Sequence, residues 1–211
     1  MLLAIDTSVG TSVAIVDRRR GTLSEVNELD TRRHAEVIGE AILFAIEQSG
    51  IAIGQLSGVT AGMGPGPFTG LRVGIAAAQA FAFGAAKPLI RVVSHDAVAF
   101  GHYAAGHQGP LLVVTDARRR EVYFSAYSGA DSVGLPVRAQ GPSLCAPGDL
   151  AVTVDGYARH HRIDAVAVSA ASAGLLAEGL FLHHRAFAGP AALYLRAPDV
   201  TVSTGPKRVS G

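Results

Sequence analysis

At 211 residues, with 49% hydrophobic and 17% charged side chains, the chain holds ample apolar material for a packed core and too little charge for a disordered one. Its length suits one long domain or two small ones sharing a cleft. Eighteen Lys and Arg against 17 Asp and Glu leave a net charge of +1. That balance excludes a strongly polycationic surface and, with it, tight autonomous binding to a nucleic acid backbone, although it leaves a local basic patch open. No window reaches the roughly 18 uninterrupted apolar residues of a spanning helix, because Arg72 and Gln79 interrupt the best candidate, 71–86. The N-terminus runs straight into an apolar strand and an acid at Asp6, leaving no room for a signal peptide, so a cytoplasmic protein is expected. Cys145 is the single cysteine, which excludes an internal disulfide and any multi-cysteine zinc site and points to an idle thiol rather than a nucleophile.

In chain order, Leu2–Ile5 and Ser12–Val16 are apolar and β-rich, and the turn formers of 6–11 join them into a hairpin. Arg18–Gly21 forms a second, solvated turn, and 22–29 a third strand. From Arg33 to Ser49 the spacing predicts a helix with Glu36, Glu40 and Glu47 on one face and a wide apolar arc opposite. Gly58–Ala61 reads as a short buried strand running into a glycine and proline loop, 62–70, after which Thr69 is placed to cap a second helix over 71–86. This helix is apolar nearly all round and needs cover on several sides. A strand at 89–93, a helix from Ser94 toward Tyr103 and a Gly/His-rich stretch ending at Gly109-Pro110 complete the first half.

The second half restarts with an apolar strand ending in an acid, 111–116, a polar connection, and a returning strand, 122–127. It echoes the first hairpin, so the chain reads either as two similar lobes, 1–108 and 109–211, or as two hairpins alike by chance. Residues 128–150, rich in Gly, Pro and Ser, read as loops with weak strands. A strand over 163–169, a short helix over 170–181 and an extended segment over 191–196 follow, and the tail 204–211 is expected to be disordered.

The chemistry-bearing candidates are few. Glycines between a strand and a helix would normally cradle phosphate. Here Gly64, Gly66, Thr69 and Gly70 belong to no P-loop, miss the dinucleotide fingerprint spacing by a residue, and are interleaved with Pro65 and Pro67, which lack amide donors. A rigid structural or partner-facing loop is the better reading. Asp6, Thr7 and Ser8 place a carboxylate and hydroxyls where a hairpin could hold a metal-bound phosphate, as in actin-like ATPases, and ordinary turn chemistry explains them equally well. The second hairpin such ATPases need, here Asp116 to Glu121, has Ala and three Arg in place of glycine, which leaves at most a vestigial nucleotide cleft. His95 and His102 stand seven residues apart, too far to clasp one zinc ion unaided, and no metal is expected. No Gly-x-Ser-x-Gly elbow supports a catalytic triad.

Gly64-Pro65-Gly66-Pro67-Phe68-Thr69-Gly70-Leu71-Arg72-Val73-Gly74, preceded by Leu3-Ala4-Ile5-Asp6-Thr7-Ser8, closely resembles the TsaB family, also called YeaZ. Arg33-His34, Asp116-Ala117-Arg118 with Glu121-Val122-Tyr123, and Tyr194-Leu195-Arg196 extend the resemblance along the chain. It implies an α/β chain with the two-lobed actin-like ATPase (ASKHA) fold, mixed sheets and helices. It further implies a non-catalytic assembly and activating subunit of the complex that adds threonylcarbamoyl to N6 of the adenosine beside the anticodon, in tRNAs reading codons that begin with A. The partners implied are a TsaD-like synthase and a TsaE-like ATPase, which supply ATP and metal. The chain alone would carry no cofactor and could form a homodimer, and tRNA contact would come only through the complex. TsaD-type proteins carry two metal-binding histidines at i, i+4; the matching positions here are His95 and Ala99, so half the pair is missing. An enzyme of the actin-like ATPase class, or a metallopeptidase, is the alternative, although no zinc-peptidase motif is present. The partner interface is expected on the outward helix faces, at Arg33, Val37, Ala41 and Phe44 of the first helix and Arg72, Ala76, Gln79 and Phe83 of the second. The alternative is an internal contact of the same helices with the second lobe.

Overall fold

The computed structural model describes residues 1–30 and 33–196, so the expectation for 204–211 lies outside the described residues. Two mixed sheets organise the chain. The first has the order β3-β2-β1-β4-β5 and is built from Leu2–Asp6 (β1), Thr11–Asp17 (β2), Gly21–Glu28 (β3), Gly58–Gly62 (β4) and Leu89–Val92 (β5). β1, β2 and β3 form an antiparallel meander, while β4 pairs parallel with β1 and β5 parallel with β4. The second sheet contains Leu111–Asp116 (β6), Val122–Ala130 (β7), Pro136–Cys145 (β8) and His161–Asp164 (β9), ordered β8-β7-β6-β9, with β9 parallel to β6. Strands β1–β4 and β6–β9 therefore share one connectivity, a meander with a parallel strand returning beside its first member. That match turns the echo between the two halves into a structural repeat, and the result is a two-lobed actin-like α/β fold.

β1 is buried throughout because both faces of its sheet are covered. Alternation sends Leu3, Ile5, Val13 and Ile15 toward α1 (His34–Ser49) and α2 (Phe68–Gly84), where they meet Ala41, Ala45, Ala78 and Ala82. The alternate residues Leu2, Ala4, Ala14 and Val16 face α5 (Ala170–Leu182). Small residues line α5 on this side, and Gly174 approaches so closely that a Cβ there would sit 2.6 Å from Val16 Cγ2 and 3.1 Å from Ala4 Cβ. Thus α5, from the second half of the chain, covers the first sheet. Conversely α3 (Ser94–Ala104), from the first half, lays Ala99 and Tyr103 against Leu111, Val113 and Tyr127 of the second sheet. The two helices also pack on each other, with Gly101 against the Ser172 side chain. The first sheet ends at Val92 and the second begins at Leu111, but the helices are exchanged across that division.

Three local expectations are corrected. β8 is a continuous ten-residue strand within the segment read as loops with weak strands. Its Pro136 and Pro142 are tolerated because β8 lies on a sheet edge, where one row of amides needs no ladder partner. β9 ends at Asp164, and 165–169 leave the sheet to reach α5. α2 starts at Phe68 with Pro67 as its boundary residue and no side-chain cap, so Thr69 lies inside the first turn. The short helix α4 (Leu150–Thr153) also escaped the sequence pattern, being a single turn.

Because Gly174 has no room for a side chain, Gly174→Val is expected to overpack the contact of α5 with the first sheet. A loss of about 2 kcal/mol in urea unfolding is the expected result; an unchanged midpoint would show that α5 can slide away at no cost.

A closed phosphate turn as the candidate functional site

The turn after β1 holds the acid that an actin-like ATPase would aim at a metal-bound phosphate, and here the chain itself consumes that acid. Asp6 is buried, and Oδ1 accepts from the Ser8 amide at 2.8 Å and the Ser8 hydroxyl at 2.5 Å. Oδ2 accepts from the Ser94 hydroxyl at 2.6 Å, and that hydroxyl in turn accepts from the Gly64 amide at 3.0 Å. Ser94 therefore bolts the start of α3 to both the β1 turn and the glycine loop. Burial raises the Asp6 carboxyl above its ordinary value, and the bonds from Ser8 and Ser94 oppose that rise.

The glycines of 62–74 are explained by what lies under them. A Cβ at Gly62 would overlap Asp6 Oδ2, and one at Gly74 would overlap Thr7 Oγ1. At Gly66 it would stand 2.9 Å from both Cα and O of Ser8, and at Gly70 2.8 Å from Thr7 O. Thr7 Oγ1 donates to Gly70 O at 2.7 Å. The loop, buried from Gly62 to Gly66, thus occupies the space above Asp6, Thr7 and Ser8. A phosphate does not fit over these side chains, since the oxygens of Asp6, Thr7 and Ser8 are already paired within the chain and loop backbone packs directly against them. The reading of Gly64, Gly66 and Gly70 as a structural loop acquires a physical cause, and Thr69, exposed in the first turn of α2, is outside the contact.

The second hairpin does not complement the first. Asp116 is exposed at the end of β6, with Oδ2 3.4 Å from Arg118 Nη1 and Oδ1 accepting from the Arg118 amide at 2.9 Å. Arg118, Arg119 and Arg120 all have positive φ, at 63°, 52° and 62°. Arg196 Nη1 donates to Ala117 O at 3.0 Å, and its Nη2 lies 2.6 Å from Glu121 Oε2. Asp116 is thus part of a surface turn, whereas Asp6 is buried.

His95, the residue at the first position of the missing metal pair, is fully buried in the first turn of α3. Its Nδ1 lies 2.9 Å from Ser125 Oγ and its Nε2 2.9 Å from Thr115 Oγ1, so both ring nitrogens are committed to hydroxyls of the second sheet. Ala99, at the second position, is buried against the same sheet. Burial first, and the Arg138 charge second, lower the His95 imidazole to about 3. Next to it, Asp96 accepts from Tyr127 Oη at 2.8 Å, tying α3 to β7 again. Among the described residues no group of three His, Cys, Asp or Glu is arranged to hold a metal ion. His102, His107 and His161 instead stack their rings, with centroids 4.4 and 5.2 Å from His102.

On the outer surface, Arg72, Ala76, Gln79 and Phe83 all face solvent along one stripe of α2, and Phe83 is 90% exposed. On α1, Arg33 and Phe44 are exposed and Val37 half-buried, but Ala41 is buried in the sheet contact. Ala41 is therefore corrected from interface to core. The stripe of α1 that meets the sheet runs through His34, Ala41 and Ala45, whose small alanines let the helix approach, and Val37 marks its edge. His34 itself is anchored by Thr11 Oγ1 at 2.8 Å from Nδ1. Ser94, Thr11 and Arg196 are the site residues that sequence patterning missed, since single hydroxyls and a lone Arg carry no periodic signal.

The lowered His95 fixes a pH dependence. Between about pH 6.5 and pH 3 the unfolded chain binds a proton that the folded chain refuses, so His95 stabilises the fold fully above that window and progressively less as pH falls through it. His95→Gln is expected to remove this component, about 1.4 kcal/mol per pH unit at its steepest, in urea titrations across the acid range. The carboxyls are common to both proteins, so identical pH slopes would contradict the burial of a neutral imidazole.

The family model described as TsaD, tRNA N6-adenosine threonylcarbamoyltransferase, matches residues 21–167. The uncharacterized protein Rv3421c of Mycobacterium tuberculosis is 37% identical over 210 residues, covering 94% of this chain and 92% of its own. The tRNA threonylcarbamoyladenosine biosynthesis protein TsaB of Haemophilus influenzae is 39% identical over 125 residues, 59% of this chain, and the match spans about half of its length, 52%. The solved structure of YeaZ from Pseudomonas aeruginosa superposes with a TM-score of 0.72 at 25% identity, covering 87% of this chain and 92% of that one. The family model spans most of the chain, which therefore belongs to the family that the TsaD model describes, and within it the chain is similar to TsaB in sequence and to YeaZ in structure over nearly its whole length.

Proposed function

We propose that this chain is a non-catalytic assembly and activating subunit in the formation of threonylcarbamoyladenosine in tRNA, working as the partner of a TsaD-like synthase. One observation carries the non-catalytic part: the loop 62–70 lies on Asp6, Thr7 and Ser8, and all of their side-chain oxygens are paired within the chain. The name of the Haemophilus relative supports the pathway, and the TsaD family match supports descent from the same two-lobed frame as the synthase. ATP and metal then act on the partner subunits, TsaD-like and TsaE-like, while this chain contributes a surface. No described helix is long and apolar enough to cross a membrane, which fits work in the cytoplasm beside tRNA.

The surface proposed for the synthase is the outward stripe of α2, Arg72, Ala76, Gln79 and Phe83, with Phe44 of α1 beside it. Its small central residue would let a partner helix approach to about 8–10 Å between axes, and the same stripe offers a homodimer contact when the chain is alone. Exposure of all four α2 residues favours this over an internal contact with the second lobe.

Cells depleted of the protein are expected to lose threonylcarbamoyladenosine in nucleoside mass spectrometry. The wild-type gene should restore it, and Ala76→Arg, which places a long cation on an exposed position, should not restore it although the variant folds. Unchanged modification after depletion would overturn the pathway reading. Full restoration by a soluble Ala76→Arg would overturn the interface.

A further inference from the structure

At the end of the first sheet away from the closed turn, four strand ends lie in a row. Val16 of β2 pairs with Leu2 of β1, Leu2 with Gly58 of β4, and Val59 of β4 with Leu89 of β5. A groove of about 590 Å³ follows this row from Arg18, just past β2, to Leu89 and Ile90 of β5. Three strand spacings make it about 14 Å long, and its volume is that of a small-molecule site. The last turn of α5 and the segment after it form the wall. Phe181, Leu182 and Phe187 stand there 72%, 43% and 40% exposed, a cluster of large apolar side chains around one concavity. Such clusters mark binding surfaces.

The charge in this groove is confined to the β2 end. The Met1 ammonium and the Glu178 carboxylate stand 3.7 Å apart, and Glu178 also accepts from the Arg18 amide. Asp17, beside the groove, accepts from the amides of Arg19 and Arg20. Among the described residues no partner meets the Arg18 guanidinium, which lines the groove from an exposed turn. The β5 end offers only hydrocarbon: Leu89, Ile90 and Phe187 carry no polar side-chain atom, and Pro88 O is taken by the Val59 amide at 2.9 Å.

We propose that this groove binds one linear anionic amphiphile, an acyl carboxylate, with its head on the Arg18 guanidinium and its chain laid across Leu2, Leu89 and Ile90 beside Phe181 and Phe187. A long channel with one cation at one end matches a ligand that has one anion and a long apolar chain. A peptide would bring backbone amides and carbonyls that the apolar end leaves unpaired, at a cost for each. A nucleic acid segment would set several phosphates against a single guanidinium. A bilayer would cover Phe181 but would not reach Leu2, which is buried at the floor. The proposal goes beyond the tRNA-modification reading and does not depend on it.

The test is calorimetric titration of the full chain with dodecanoate below its micellar concentration. Wild type should bind one molecule saturably, and decanoate about ten-fold more weakly, as expected for two fewer buried methylenes. Arg18→Gln, in an exposed turn, should weaken dodecanoate about ten-fold by removing a charge-assisted contact. Ser57→Trp, at an exposed position midway along the groove, should fill it and abolish binding with an unchanged thermal midpoint. If that variant unfolds, Arg18→Gln and the chain-length series carry the test. No binding by the wild type, equal binding by a folded Ser57→Trp, or dodecyltrimethylammonium binding as tightly as dodecanoate would each overturn the proposal. Sedimentation with phosphatidylglycerol vesicles without binding of monomeric dodecanoate would assign the face to a bilayer and overturn it. A wild-type dimer that Ser57→Trp dissociates, again without dodecanoate binding, would assign it to a second copy and overturn it too. Threonylcarbamoyladenosine levels do not enter this test, so its failure leaves the pathway reading standing.

Discussion

The Asp6 carboxylate, buried beneath Gly62 and held by Ser8 and Ser94, is the constraint on which the rest of the molecule turns. A buried carboxylate costs several kcal/mol unless its oxygens are paired, and here both oxygens find donors within the chain. Those donors come from three places in the sequence: the turn itself, the start of α3, and, through Ser94, the Gly64 amide. The pairing therefore fixes β1, the glycine loop and α3 relative to one another. In an actin-like enzyme the same position has to face a cleft and a metal-bound phosphate. Here the space above it is filled with backbone, and the series Gly62, Gly66, Gly70 and Gly74 follows from that filling because each opposes an atom of residues 6–8.

The two lobes are bound by exchange rather than by a simple interface. α5 completes the first sheet and α3 the second, and the helices meet each other between the sheets. His95 and Asp96 reinforce the α3 side through Thr115, Ser125 and Tyr127. The Ser94 bond to Asp6 and the His95 bonds to the second sheet lie one residue apart on α3, so the closed phosphate turn and the locked lobes share a single anchor.

Much of this was legible in the sequence. Both hairpins announce themselves through β-branched runs separated by turn formers, and α1, α2, α3 and α5 through apolar spacing. The resemblance carried by 64–74 pointed to the family. What stayed hidden has physical reasons. β8 is an edge strand, so its prolines read as loop when only a paired interior strand would have excluded them. The inward turn of Ala41 depends on which stripe of α1 the sheet selects, and a wide apolar arc does not say. The roles of Ser94 and Arg196 arise from contacts 88 and 79 residues away along the chain, beyond any local pattern. The left-handed arginine turn is invisible for the opposite reason, since arginine is the wrong signal for the backbone it adopts.

Amide hydrogen exchange at Ser8 and Gly64 tests the closed turn most directly, because both N–H groups donate into the Asp6 and Ser94 network. The account expects both amides to exchange slowly in the isolated protein, at rates that saturating magnesium and ATP leave unchanged. Fast exchange at both positions, or protection that appears only when magnesium and ATP are added, would show an open phosphate site and contradict it.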